Sequence, residues 1–346
     1  MSEKKDVTAP PLHCSTATLL SQGQFMELAL QHPDSGYYRT QQAVGQDFTT
    51  APEISQVFGE LIGAWVLDIY EQLGSPSQVN LVELGPGRGT LMADLLRVAA
   101  LSPAFMAALQ IHLVEINPFL LQQQKGKIHH SEIYWHETVE TLPLQAPLLL
   151  IANEFFDAMP THFYRRQENM LYERFIDLSG EEPVFTFLPL ASEEGEDVEW
   201  ETSPVSLHIM ELLSQRLRLQ GGVCLLIDYG YESGTGDTLQ ALFRGEPSPP
   251  LSHIGKSDLT CHVNFGALKQ VAITQGLSVF GPVSQRTFLK NLGIDLRIAQ
   301  LQHKNKQEAA VLNVAHARLT HPCQMGTLFK AMAIVSQALI PGGFHE

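Results

Sequence analysis

Three short apolar runs, the first two each followed by a turn and a stretch with helical spacing, restrict the fold of this chain more than anything else in it. "VNLVELG" (79–85) precedes "TLMADLLRVAAL" (90–101), "IHLVEIN" (111–117) precedes "FLLQQQKGKI" (119–128), and "LLLIANE" (148–154) follows. Apolar runs of this length are strands buried on both faces, and helices between them carry the chain back so that the strands lie parallel. The alternation predicts βαβ units and a doubly wound α/β sheet. "SLHIMELLSQRLR" (206–218) and "GGVCLLIDYGY" (221–231) continue it, "FGALKQVAITQGL" (265–277) is helical, and "MGTLFKAMAIVSQAL" (325–339) holds the last strand.

What surrounds this rhythm reads as additions. "ATLLSQGQFMELALQ" (17–31) has helical spacing, and "TAPEISQVFGELIGAWVLDIYEQLG" (50–74) is the clearest amphipathic helix, with Pro52 suited to its start and Gly74 to its end. Residues 1–75 are therefore expected as an N-terminal helical segment, with Gly23, Gly36 and Gly45 giving it the freedom of a lid, and 76–346 as the main domain. An insertion at about 161–205 interrupts the alternation with a β-hairpin, "HFYRRQENMLYERFIDL", and a further strand, "PVFTFLPL". It runs into Glu193, Glu194, Glu196, Asp197, Glu199 and Glu201, read as a solvated loop or as a docking face for a basic partner. A long loop is expected over 232–262.

The chain has 346 residues, of which 22 are Lys or Arg and 37 are Asp or Glu, for a net charge of −15. That balance repels phosphates and argues against nucleic acid as a partner. No apolar stretch reaches the ~20 residues that span a bilayer, so no membrane insertion is expected. Cys14, Cys224, Cys261 and Cys323 are far apart and lack metal spacing, which reads as reduced thiols, a cytoplasmic location and no metal site.

In "VELGPGRGT" (82–90), Gly85, Gly87 and Gly89, with Pro86 between the first two, join the first strand to its helix. Glycines let the backbone turn sharply and approach a ligand closely. No Lys-Ser or Lys-Thr follows, so this is not a phosphate-binding P-loop, and the GxGxG spacing differs from the dinucleotide GxGxxG. Glu115 ends the next strand beside the turn, where a carboxylate accepts hydrogen bonds from both ribose hydroxyls. An acidic residue there, and few groups suited to pyrophosphate, favour S-adenosylmethionine (SAM) over a nicotinamide dinucleotide. A ligand-free turn with a solvent-facing Glu115 is the structural alternative.

The sequence also resembles the MidA-like family of SAM-dependent methyltransferases. "HPDSGYY" (32–38), "DFTTAPEISQVFGELIGAW" (47–65), "VELGPGRGTLMADLLR" (82–97), "HLVEIN" (112–117), "ANEFFDAMP" (152–160), "LIDYGY" (226–231) and "DLTCHVNF" (258–265) carry the likeness, although Asn264 stands where the family pattern has Asp. The resemblance implies a Rossmann-like class I methyltransferase sheet of seven strands, with an N-terminal helical addition and a β-rich insertion. Mitochondrial members of that family methylate protein arginine and act as assembly factors for respiratory complex I. It therefore implies a protein substrate with a basic segment, and a respiratory-complex subunit as one such partner.

On that reading the polar tip of "LLLIANEFFD" faces the transferred methyl group. Glu154 is the first candidate to grip a guanidinium bidentately, with Asp157 as a second carboxylate and Asp228 beside the acceptor channel. Asn153 joins Gly85, Pro86, Gly87, Gly89 and Glu115 on the cofactor; Glu53, Ser55, Tyr229 and His262 are candidates for the substrate side. Helix capping by Asn153, Glu154 and Glu53, and structural burial of Asp228, are the plain alternatives. Methyl transfer from a sulfonium needs no metal. Three other functions stay open: a small-molecule acceptor, a non-catalytic assembly factor or chaperone on a methyltransferase fold, and, disfavoured by the glycine spacing, a nicotinamide oxidoreductase.

Overall fold

In the computed structural model, residues 18–40, 49–234, 236–336 and 338–345 are described. Cys14 and Gly45 lie outside them. The chain divides into two compact units, one built from residues 1–48, 158–205 and 234–261 and the other from 49–157, 206–233 and 262–346. That division differs from the expected boundary at 75/76, because the amphipathic helix belongs with the sheet it packs on.

The larger unit contains α1 (Gln56–Gln72), β1 (Val79–Leu84), α2 (Thr90–Ala99), β2 (Leu109–Val114), α3 (Pro118–Lys127), β3 (Ile133–His136), β4 (Leu148–Asn153), α4 (Pro204–Gln220), β5 (Gly222–Tyr231), α5 (Phe265–Thr274), β6 (Ser278–Ser284), α6 (Gln285–Asn291), α7 (Ile294–Lys304), α8 (Ala309–Thr320) and β7 (Phe329–Val335). Its strands run in the order β3-β2-β1-β4-β5-β7-β6, with the two-residue strand Val263–Asn264 beside the end of β5. β7 alone is antiparallel to its neighbours β5 and β6. This is the expected class I methyltransferase sheet. Every residue of β1 and β4 is buried, and removing each large aliphatic side chain from water contributes about 1.5–3 kcal/mol. The chain order reverses between β1 and β4, and ligands of such sheets bind beyond the carboxyl ends of the strands there.

The long helix expected over 50–74 is broken. Ala51–Ile54 forms one short turn, Ser55 is extended at φ −159°, and α1 starts afresh with the Ser55 hydroxyl accepting from Val57 N at 3.3 Å. Val57, Phe58, Ile62, Trp65, Val66 and Ile69 then face the core.

In the smaller unit, Met170–Asp177 pairs antiparallel with His162–Gln167, Val184–Ser192 and Leu19–Ser21, and Val198–Thr202 pairs with His162–Gln167. The expected hairpin and further strand are present. The acidic stretch is not wholly a loop, since Glu199 and Glu201 lie in a strand and Glu201 is buried, accepting from Thr238 N at 3.0 Å. The loop expected over 232–262 contains three short strands, Gln240–Phe243, Glu246–Ser248 and Asp258–Thr260. In helix Gln22–Gln31 the His162 ring packs where a side chain at Gly23 would stand. Among the described residues no helix is long and apolar enough to cross a membrane.

Candidate functional site

The glycine turn leaves β1 with all three glycines in the left-handed region, at φ 62°, 53° and 73°. Gly89 N donates to Pro86 O at 2.8 Å, which closes the turn before α2. A Cβ at Gly85 would meet the Phe155 ring at 3.1 Å, so the residue after Glu154 lies over the start of the turn. At Gly87 a Cβ would meet nothing within 4 Å, so this stretch of backbone faces open space.

Glu115 follows β2 directly and is 9% exposed. Its Oε1 accepts from Asn117 N at 2.8 Å and its Oε2 from Gln124 Nε2 at 3.1 Å. The same Gln124 nitrogen donates to Gly87 O at 2.7 Å, and Gln124 Oε1 accepts from Trp135 Nε1 at 3.0 Å. Gln124 thus ties the glycine turn to Glu115, a role the sequence reading misses. Its signal was spacing: α3 buries only Leu120 and Gln124, four residues apart on one face. Burial pushes the Glu115 carboxyl up to about 7, against the pull of these donors. Burial, with the Glu115 charge beside it, pushes Glu83 up to about 8, and Glu83 Oε2 is buried without a hydrogen-bond partner.

At the tip of β4, Asn153 is 8% exposed, its Oδ1 lacks a partner, and its Nδ2 donates to Glu154 Oε1 at 3.2 Å. Glu154 has φ 51°, a conformation costing a non-glycine residue of order 1–3 kcal/mol unless its surroundings impose it. Two bonds do so here: Glu154 N donates to Ile227 O at 2.8 Å, and its Oε1 accepts from Ala51 N at 3.0 Å.

Asp228, expected beside the acceptor channel, is held by backbone amides. It is 1% exposed; its Oδ2 accepts from the amides of Phe155, Phe156 and Asp157 at 3.1, 3.0 and 3.3 Å, and its Oδ1 from Tyr229 N at 2.9 Å. It anchors the turn after β4. Burial, then the neighbouring Asp157 and Glu154 carboxyls, raises its pKa well above the usual range, while the amides of Tyr229 and Asp157 pull it down. Asp157 is buried in a single 3₁₀ turn, Phe156–Ala158.

The short helix Ala51–Ile54 links these parts. Its first amide is held by Glu154, and Glu53 Oε1 accepts from Thr90 Oγ1 at 2.6 Å, with Arg88 3.7 Å from Glu53 Oε2. Glu53 therefore reaches the exit of the glycine turn. Ser55 caps α1, a structural duty. Tyr229 and His262 come together edge to face with ring centroids 5.6 Å apart, and Phe329 lies 5.3 Å from Tyr229. Burial lowers the basicity of His262.

The chemistry of this cluster fits SAM. Unpartnered buried oxygens on Glu83 and Asn153, a held carboxyl on Glu115 and an open backbone at Gly87 suit a nucleoside with free ribose hydroxyls. The turn's one cation, Arg88, is already near Glu53, which leaves little for a pyrophosphate. Asn264, where an Asp was expected, caps α5 by accepting from Ala267 N at 3.0 Å, a duty either side chain performs.

A family model described as "Putative S-adenosyl-L-methionine-dependent methyltransferase" matches residues 61–283, more than half of the chain. A Drosophila melanogaster protein named protein arginine methyltransferase NDUFAF7 homolog, mitochondrial, is 33% identical over 92% of this chain and 83% of its own length. The mouse protein arginine methyltransferase NDUFAF7, mitochondrial, is 34% identical over 93% and 82%. Among solved structures, a Burkholderia thailandensis protein bound to S-adenosyl-homocysteine superposes with a TM-score of 0.78 at 24% identity, covering 92% of this chain and 88% of that one. A native crystal structure of a protein from the same organism gives 0.78 at 25% identity, covering 92% and 87%. The relatives are named as mitochondrial, which overturns the cytoplasmic location expected from the cysteines. The fold, the acceptor-rich cluster beside the glycine turn and the family match lead to one conclusion: the chain belongs to this family of SAM-dependent methyltransferases.

Proposed function

We propose that the chain methylates a guanidinium nitrogen of arginine in a protein, and that Glu154 holds the acceptor. The observation that carries this reading is the strained Glu154, whose carboxylate is fixed at the end of β4 by the Ala51 and Asn153 donors. Strain of this kind at a strand tip supports a functional role. When bound, SAM supplies a methyl group on a positively charged sulfur. Glu115, oriented by Asn117 and Gln124, takes the ribose hydroxyls, and the glycine turn from Gly85 to Gly89 gives the backbone its close approach. Asn153 adds a buried acceptor. A carboxylate at Glu154 pairs with the guanidinium and aligns one nitrogen, a gain of orientation that needs no metal. The acceptor nitrogen gains the methyl as the carbon–sulfur bond breaks and its electron pair stays on sulfur, which leaves as a neutral thioether. One nitrogen proton is lost to solvent, so the methylated guanidinium keeps its single charge. Asp157 places a second carboxyl nearby, Asp228 keeps the turn in place, and Glu53, Tyr229 and His262 border the acceptor. Ser55 acts through α1.

The relatives' names support an arginine acceptor in a protein. The chain's excess of acid favours a basic segment around it. The family resemblance directs the first acceptor trials to respiratory-complex subunits. The test is labelled-methyl transfer to arginine-containing protein acceptors, followed by hydrolysis and identification of methylarginine. Glu154→Gln is expected to lower kcat by about 100-fold or more while SAM binding stays within about threefold. Label on another residue type, or an unchanged rate in the variant, would overturn the reading.

A further inference from the structure

Val184–Ser192 is an outer strand of the smaller unit's antiparallel sheet. One edge pairs with Met170–Asp177, and among the described residues the other edge pairs with no strand. Pro189 faces Tyr172 across that ladder. Proline has no amide hydrogen and sits in a sheet where the N–H would point outward. Backbone direction alternates along a strand, so the amides of Phe185 and Phe187 point outward with it.

This edge is long and apolar. Val184, Phe185 and Leu190 are 53%, 40% and 49% exposed. The strand is nonetheless held in place, with the Arg174 guanidinium 4.9 Å from the Phe185 ring and that of Arg165 4.3 Å from the Phe187 ring. An ordered apolar edge is a template for a further strand. Charge decides which strand it takes. Glu181 and Glu182 precede it, and Glu193, Glu194 and Glu196 follow. The sheet's arginines are committed: Arg165 to Glu199, Arg166 to Glu193 and Arg174 to Asp237. Glu181, Glu182, Glu194 and Glu196 make no ion pair among the described residues. A second copy laid alongside in either direction would set acid against acid at both ends, on a chain of net charge −15. A basic strand would set cations there instead.

We infer that the outer edge of Val184–Ser192 is a docking site for an extended basic segment of another polypeptide, added to the sheet as a strand. Backbone hydrogen bonds hold the segment, the exposed apolar side chains give it contact area, and the flanking glutamates select its charge. The inference stands apart from the methyl-transfer reading, because its test contains no cofactor.

The probe is a fluorescein-labelled nine-residue peptide alternating Arg with Val or Thr, titrated into the full chain at low salt. The same peptide with Glu for Arg is the control. Saturable binding of the Arg peptide is expected, with slowed hydrogen exchange at the amides of Phe185 and Phe187. Affinity should fall at least tenfold in Glu181→Lys/Glu182→Lys/Glu194→Lys, whose fold is checked by its circular dichroism and a retained cooperative thermal transition. Equal binding of the Glu peptide, unchanged affinity in the triple variant, or binding without protection of those amides would overturn the assignment. So would concentration-dependent self-association that protects the same amides, since it would give the edge to a second copy.

Discussion

At the scale of single residues, the site gathers acids that resist ionisation. Glu83 and Glu115 are raised to about 8 and about 7, in both cases chiefly by burial. The folded chain therefore holds protons on them that the unfolded chain has released, from about pH 4.5 upward. Their contribution to stability is full below that pH and is lost as pH rises through 7 to 8. Denaturant titrations at pH 5.5 and 8.5 should show the ligand-free chain losing stability across this window. Glu83→Gln, which cannot ionise, should lose less, by about 2 kcal/mol, since each tenfold change in proton affinity is worth ~1.4 kcal/mol and a buried site relaxes around a new charge. Equal losses in both proteins would mean that Glu83 is ionised throughout. Gln124 and Asp228 show what sequence conceals at this scale. Nothing in "QQQ" names the glutamine that turns inward, beyond its spacing from Leu120. Asp228 draws its meaning from amides some seventy residues away.

At the scale of elements, the turn after β4 depends on one side chain of β5. Asp228→Ala would leave the amides of Phe155, Phe156 and Asp157 without their acceptor, and each buried unsatisfied donor costs about 1–3 kcal/mol. A loss of about 3–5 kcal/mol is expected by chemical denaturation, allowing for water entering the vacated space, and Asp228→Asn should cost less because it keeps one acceptor. A loss under about 1 kcal/mol would show that the turn is held by other contacts. The parallel strands were legible because burial on both faces makes them unbroken apolar runs, as in β1 and β4. Helices α6 to α8 were not read. Leu296, Val311 and Val314 are 72%, 68% and 70% exposed, and apolar residues on the outer face blur the helical pattern. The break at Ser55 was hidden because Ala51–Ile54 and α1 share one apolar spacing, and only the backbone of Ser55 separates them.

At the scale of the whole molecule, charge is the plainest property: 37 acidic residues against 22 basic ones. Self-repulsion of that size weakens the folded chain at low ionic strength. Raising salt from about 0.05 to 0.5 M should raise the thermal midpoint by about 2 °C or more, on the order of 1 kcal/mol. A falling midpoint would mean that ion pairs such as Arg297–Glu60 outweigh the repulsion. The number of units was not legible in the sequence, since the smaller one is made of three pieces that never adjoin along the chain. That arrangement bears on synthesis. Leu19–Ser21 pairs with Phe175–Asp177, and its unit also needs residues 234–261. Leu19–Ser21 must therefore wait while more than two hundred later residues emerge. Until then the apolar side of helix Gln22–Gln31 has no core of its own, so the nascent chain has good reason to be a client of chaperones.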